Sequence, residues 1–219
     1  SEDYQVYPRD LENDKKIAET EGVDYLFTPS NEEMYPKWYC TFVNVERITE
    51  KLCGARRPGH FKGVATVVSK LFNIVQPDKA FFGEKDAQQL IVMRRMVEDL
   101  NFDVEIIGVP TVRDEDGLAM SSRNVYLDAK ERRAALVLSR SLKKAQEMIK
   151  SGERKPEVIK KTVEELLQGE PLVDVEYISI CDIQKLEEVS ELKGSILIAL
   201  AARVGKARLI DNVFLSLEN

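Results

Sequence analysis

The chain has 219 residues, 43% hydrophobic and 32% charged, with a formal net charge of −6 and three cysteines. This composition suits one large or two modest folded domains and argues against disorder. The acidic balance argues against a nucleic-acid partner. No apolar run approaches the roughly 20 residues of a membrane span. The acidic, polar start is unlike a signal peptide. A structural zinc site is excluded by three scattered cysteines and one histidine. Free, mostly buried thiols in a reducing cytoplasm are the simpler expectation.

The elements alternate through the first half. Asp10 to Glu21 predicts a polar helix stopped by Gly22. Val23 to Phe27 predicts a strand, as does Thr41 to Val45. Apolar residues at Val64, Val67, Val68, Leu71, Phe72 and Val75 follow the i, i+3, i+4, i+7 spacing of an amphipathic helix over 61–75. Lys79 to Phe82 predicts a short strand, Ala87 to Leu100 a helix, and Val104 to Val109 a strand. This rhythm indicates βαβ units on a parallel sheet. Sites in such sheets lie beyond the carboxyl ends of the strands.

After Arg113 the texture changes. The turn-rich stretch Asp114-Glu115-Asp116-Gly117 is a candidate hinge. Helices are predicted over Ala129 to Lys150 and Pro156 to Leu167. Strands follow over Val173 to Cys181, Ser195 to Ala202 and Ala207 to Phe214, with a hairpin at Gly205-Lys206. The expected fold is α/β: a Rossmann-like parallel sheet in residues 1–112 and a smaller α+β domain in 113–219.

Three segments carry side chains suited to anion chemistry. Gly83-Glu84-Lys85-Asp86 joins a strand to a helix start, where free amides and a lysine suit a phosphate. Equally, Asp86 and Gln89 have capping-box spacing and Lys85 could be solvated. It is not a Walker A loop. Met120-Ser121-Ser122-Arg123 gathers two hydroxyls and a guanidinium, which could close over a polyphosphate; a polar linker capped by a serine is the plainer reading. Arg56 and Arg57 sit near a helix start against its dipole, so either an anionic ligand or a salt bridge to Glu50 or Glu84 must favour them. His60 is an acid–base candidate or a structural histidine. Glu12, Asp14, Glu32 and Glu33 make no recognisable metal cluster, Asp14 being at most a weak ligand, and the metal ligands stay unassigned.

Together the segments Tyr7–Asp10 (YPRD), Phe27–Pro36, Arg57–Asp78 (RPGHFKGVATVVSKLFNIVQPD), Phe81–Leu90 (FFGEKDAQQL), Gly108–Asn124 (GVPTVRDEDGLAMSSRN) and Ala207–Asn212 (ARLIDN) resemble the pantothenate synthetase family of ligases. The resemblance covers essentially the whole chain. It implies a nucleotidyltransferase-type Rossmann-like fold with a C-terminal lid, and a cytoplasmic homodimer. It also implies ATP and Mg2+ as cofactors, pantoate and β-alanine as small-molecule substrates, and a pantoyl-adenylate intermediate.

It places Gly83, Glu84, Lys85 and Asp86 at the ATP site, with Val109 and Val112 beside the adenine. Met120, Ser121, Ser122 and Arg123 are counterparts of the KMSKS loop, and Lys85, Ser121, Ser122 and Arg123 are the catalytic set. Gln89 would bind pantoate, with Val64, Val67 and Val68 as its apolar wall. Arg57 and His60 match a motif near the site.

The family's leading HxGH and NPxQF segments are not in the sequence. The expectation is therefore of a chain without its N-terminal βαβ part and with little activity alone. Another adenylate-forming nucleotidyltransferase and a non-catalytic binding module are the alternatives.

Overall fold

The computed structural model describes residues 9–217; Tyr7 and Pro8 of the YPRD segment lie outside the described residues. Seven α-helices and five strands occur among these residues. The first helix, α1 (Leu11–Thr20), begins where Asp10 accepts a hydrogen bond from the Asn13 amide. A one-turn helix, α2 (Asn31–Met34), is closed by a capping box between Ser30 and Glu33. The predicted strands at 23–27 and 41–45 do not form. Tyr25 is 93% exposed and its apolar neighbours are half exposed, with no hydrogen-bonded strand beside them among the described residues. Near 43, the Val43 amide donates to Thr66 Oγ1 on a helix instead of to a strand. An apolar run becomes a strand only when its backbone groups find a ladder.

The next elements are α3 (Leu52–Arg56), α4 (His60–Val75), β1 (Lys79–Gly83), α5 (Ala87–Asp99) and β2 (Glu105–Val109). β1 and β2 pair in parallel, with Lys79 opposite Glu105 and Gly83 opposite Val109. This is the expected βαβ unit, and its carboxyl end holds Gly83 and Val109 side by side.

The rest of the chain forms α6 (Ala129–Lys150), α7 (Pro156–Gln168), β3 (Val173–Asp182), β4 (Gly194–Val204) and β5 (Ala207–Leu217). The three strands make an antiparallel sheet in the order β3-β4-β5. Gly205, at φ +55°, turns the hairpin between Val204 and Ala207.

β4 shows how the molecule is layered. Ile196, Ile198, Leu200, Ala202 and Val204 enter one core with α6 and α7. Leu197 and Ala199, on the opposite face, enter a second core with Phe61, Phe72, Ile91, Met93 and Met96. Successive side chains on a strand point to opposite faces. The antiparallel sheet is thus covered on both sides, and its central strand reads as a continuous apolar run. The second core draws on residues from both sides of the boundary expected at 112/113.

Candidate active site

A cavity of about 370 Å³ opens where the turn after β1 meets the β4–β5 hairpin. Four elements of the first half supply its walls. The turn Glu84–Asp86 and the start of α5 bring Lys85, Asp86, Gln88 and Gln89. The segment around α3 brings Leu52, Cys53 and Arg57, and α4 begins with His60 and Phe61 at the cavity. Gly59 makes that start, adopting φ +76° just ahead of His60, a conformation that costs glycine little.

The walls are held by specific contacts. Gln88, 5% exposed, donates through Nε2 to the carbonyls of Ile48 at 2.8 Å and Lys51 at 2.7 Å, and accepts from the Gly54 amide at 3.2 Å. A Cβ on Gly54 would fall 1.8 Å from the Thr49 carbonyl oxygen, so only glycine lets these segments approach. Arg57 Nη1 lies 3.0 Å from His60 Nε2. A guanidinium can only donate, so His60 Nε2 accepts and the ring proton of that tautomer sits on Nδ1. Of the two readings of these arginines, the salt bridge to Glu50 or Glu84 does not form among the described residues, and Arg56 donates to the Glu176 carbonyl. The capping box expected between Asp86 and Gln89 is absent, because the Asp86 side chain makes no cap hydrogen bond.

The opposite wall comes from the second half. Arg123 and Tyr126 belong to the 3-10 turn Ser122–Tyr126, whose start is capped by Ser121 Oγ accepting from the Arg123 amide. The plain reading of Ser121 as a turn cap is therefore realised. The hairpin leading to it is held by the Met120 amide on the Val112 carbonyl. Its turn at Asp114 and Asp116 is pinned to α6 by Arg132, at 2.7 and 2.9 Å.

Sequence reasoning missed the contribution of β3 to β5: Tyr177, Arg203, Lys206, Arg208, Asp211 and Asn212 all line the cavity. The ARLIDN segment was a visible signal without an assigned role. Cys53 Sγ lies 3.2 Å from the Tyr177 hydroxyl. Burial chiefly, and Cys53 next, push the Tyr177 phenol well above its ordinary range. Burial works against the charge of Arg208, but Cys53 and the ion pair with Glu176 outweigh it and raise its pKa.

The expected site residues therefore fall into four groups. Lys85, Asp86, Gln89, Arg123, Arg57 and His60 share the cavity. Gly83 and Val109 are register partners at the carboxyl end of the parallel pair and are not among the cavity's lining, and Val112 and Met120 are joined on the following hairpin, 61% and 52% exposed. Glu84, Ser121 and Ser122 belong to the turns beside the cavity. Val64, Val67 and Val68 do not border it; they are half-buried along α4, Val64 and Val68 packing against the second core. The thiols also depart from the expectation of burial, since Cys40 is exposed while Cys181 is buried.

Six arginines and lysines (Arg57, Lys85, Arg123, Arg203, Lys206 and Arg208) line the cavity against two carboxylates, Asp86 and Asp211. Asp211 is bound to Arg113, which leaves Asp86 as the lining carboxylate without an arginine partner among the described residues. On a chain of net charge −6, this lining concentrates positive potential where an anion of several charges could bind. Among the described residues no three His, Cys, Asp or Glu side chains gather as a metal cage. None of the described helices is long and apolar enough to cross a membrane.

A family model described as pantoate-beta-alanine ligase matches residues 1–214. A pantothenate synthetase of Pelotomaculum thermopropionicum is 58% identical over 215 residues, 98% of this chain and 76% of its own length. One from Heliobacterium modesticaldum is 60% identical over 212 residues, 97% and 75% respectively. Among solved structures, pantothenate synthetase from Thermus thermophilus superposes with a TM-score of 0.93 at 50% identity, covering 96% of this chain and 76% of that one. Pantoate-beta-alanine ligase from Francisella tularensis, complexed with beta-gamma ATP and beta-alanine, gives 0.71 at 32% identity, with 96% and 72% covered. The chain spans about three quarters of the length of these relatives.

Proposed function

Because the chain belongs to the pantoate-beta-alanine ligase family, we propose that it condenses pantoate with β-alanine at the cavity between β1 and the β4–β5 hairpin, using MgATP and a pantoyl-adenylate intermediate. The observation that carries this reading is the basic lining of that cavity on an acidic chain. The bound ligands of the Francisella tularensis relative are of the same chemistry.

In the first step a pantoate carboxylate oxygen attacks the α-phosphorus of ATP, and the bond to the β-phosphate bridge breaks to release pyrophosphate. Lys85 supplies a fixed positive charge to the phosphate oxygens as charge moves onto the leaving pyrophosphate. Arg123 adds a planar donor set from the facing wall, with Ser121, Ser122 and Met120 on the same loop. Gly83, Glu84 and Val109, at the carboxyl end of the parallel pair beside the cavity, would border the nucleotide, and Val112 would meet the adenine. Magnesium would come with the nucleotide and neutralise phosphate charge, and Asp86, the lining carboxylate without an arginine partner among the described residues, would hold it, directly or through one of its waters.

Pantoate would lie against Gln89, with Phe61 at the start of α4 as the nearby apolar surface, because Val64, Val67 and Val68 lie further along that helix and outside the cavity. In the second step the β-alanine amine attacks the acyl carbon, AMP leaves with the bridging oxygen, and the amine loses a proton. His60, with Nε2 turned to Arg57, is near enough to the walls to order the reactants. A cytoplasmic homodimer completes the reading and rests on the family alone.

The test is AMP release that requires pantoate, β-alanine and MgATP together. Lys85→Ala should lower its rate by about a hundredfold or more, the range for removing one preorganised charge or donor. Release of AMP without pantoate, or full activity in Lys85→Ala, would overturn the assignment.

A further inference from the structure

Asp211 and Asn212 are consecutive on β5 and reach opposite faces of the sheet. Asp211, 3% exposed, accepts two parallel hydrogen bonds from Arg113, at 2.7 and 2.8 Å, and a third from the Asn212 amide at 2.8 Å. Asn212, 7% exposed, points the other way. Its side-chain Nδ2 donates to the Glu84 carbonyl at 3.0 Å and to the Lys85 carbonyl at 2.8 Å. These carbonyls belong to the two peptide planes on either side of the Lys85 Cα. Peptide planes are rigid, so holding both fixes the two backbone torsions that aim the Lys85 side chain.

We propose that Asn212 is a positioning residue for Lys85, an inference that rests on the reading of Lys85 as the phosphate-holding side chain. The turn Glu84–Asp86 has no side-chain cap from its own flanks. Lys85 makes no ion pair among the described residues, so its direction is set by its backbone. The buried amide is well suited to the task, since each of its two hydrogens has a carbonyl partner. The Asp211–Arg113 pair braces β5 at the same point. It also ties the hairpin that leads to Arg123 to the strand that holds Lys85. The spacing between the two cationic walls of the cavity is thereby set by one dipeptide.

A double-mutant cycle tests this, read by calorimetric titration with MgATP in the absence of pantoate. The proteins are the unsubstituted chain, Lys85→Ala, Asn212→Ala and the double variant, each first checked for a cooperative melt. Asn212→Ala should weaken MgATP binding by about tenfold when Lys85 is present and by less than about twofold when it is absent. Asn212→Ser, too short to reach both carbonyls, should fall on the same side and serves if the alanine variant does not fold. An equal loss in both backgrounds would make Asn212 a general scaffold residue and overturn the inference alone, as would an unchanged affinity in Asn212→Ala. Failure of the unsubstituted chain to bind MgATP, or undiminished binding in Lys85→Ala, would remove the reading of Lys85 and the inference with it.

Discussion

Gln88 uses both ends of its amide on three backbone groups of the 48–54 segment. Those groups carry the approach to Cys53, Arg57 and His60, so a buried side chain on α5 sets the wall opposite the β-hairpin. Leucine at this position would fill a similar volume and leave one donor and two acceptors without partners. At about 1 kcal/mol or more for each orphaned buried group, Gln88→Leu should destabilise the fold by about 3 kcal/mol. Urea denaturation would register this as a lower midpoint with an unchanged slope. A midpoint equal to the unsubstituted chain's would mean that the three groups find other partners.

At the scale of elements, α6 is the longest helix, 22 residues, and its start is the most completely capped. Asp128 accepts from the amides of Glu131 and Lys130, and these hydrogen bonds, Glu131's first, hold its carboxyl below the ordinary 3.8. A lowered folded value means that the contribution is present above the unfolded pKa and disappears as pH falls through the folded one. Asp128→Ala should therefore melt several degrees lower than the unsubstituted chain near pH 7, and the gap should close as pH falls below the ordinary aspartate range. A gap that does not depend on pH would assign the loss to something other than the charged cap. Helices such as α4, α5 and α6 were legible in the sequence because their apolar spacing is local, and α6 adds a local cap at Asp128. The β4–β5 hairpin was legible for the same reason, at Gly205-Lys206. The runs 23–27 and 41–45 were misread because strand formation depends on a neighbour that no local pattern reveals. The site divides in the same way. Lys85 and Arg123 stand on loops with recognisable chemistry. Tyr177 and Arg208 reach Cys53 across 124 and 155 positions of sequence, and only the folded sheet brings them there.

At the scale of the whole molecule, the two cores share one sheet, and Cys181 marks where they meet. It is fully buried in the second core among residues from 43–106 and 177–214. Burial above all pushes its thiol up to about 11 from an ordinary 9.0. Between those values the unfolded chain releases a proton that the folded chain keeps. The contribution to stability is thus whole below about pH 9 and falls as pH rises toward 11, by about 2 to 3 kcal/mol for a shift of this size. Cys181→Ala should lack that alkaline loss, so denaturation curves of the two proteins should converge as pH is raised through this window. The same thiol reports how the layers separate. Cys40, exposed, should react with a thiol reagent at once in the native protein. Cys181 should react only at the rate of global unfolding, because opening its pocket means parting the β3-β4-β5 sheet from α4, α5 and the parallel pair. If Cys181 were labelled much faster than the chain unfolds, the sheet and the βαβ unit would be separable bodies. Labelling at the unfolding rate would instead make the cavity between them a permanent feature of a single cooperative fold, with Lys85 and Asn212 held on its two sides throughout.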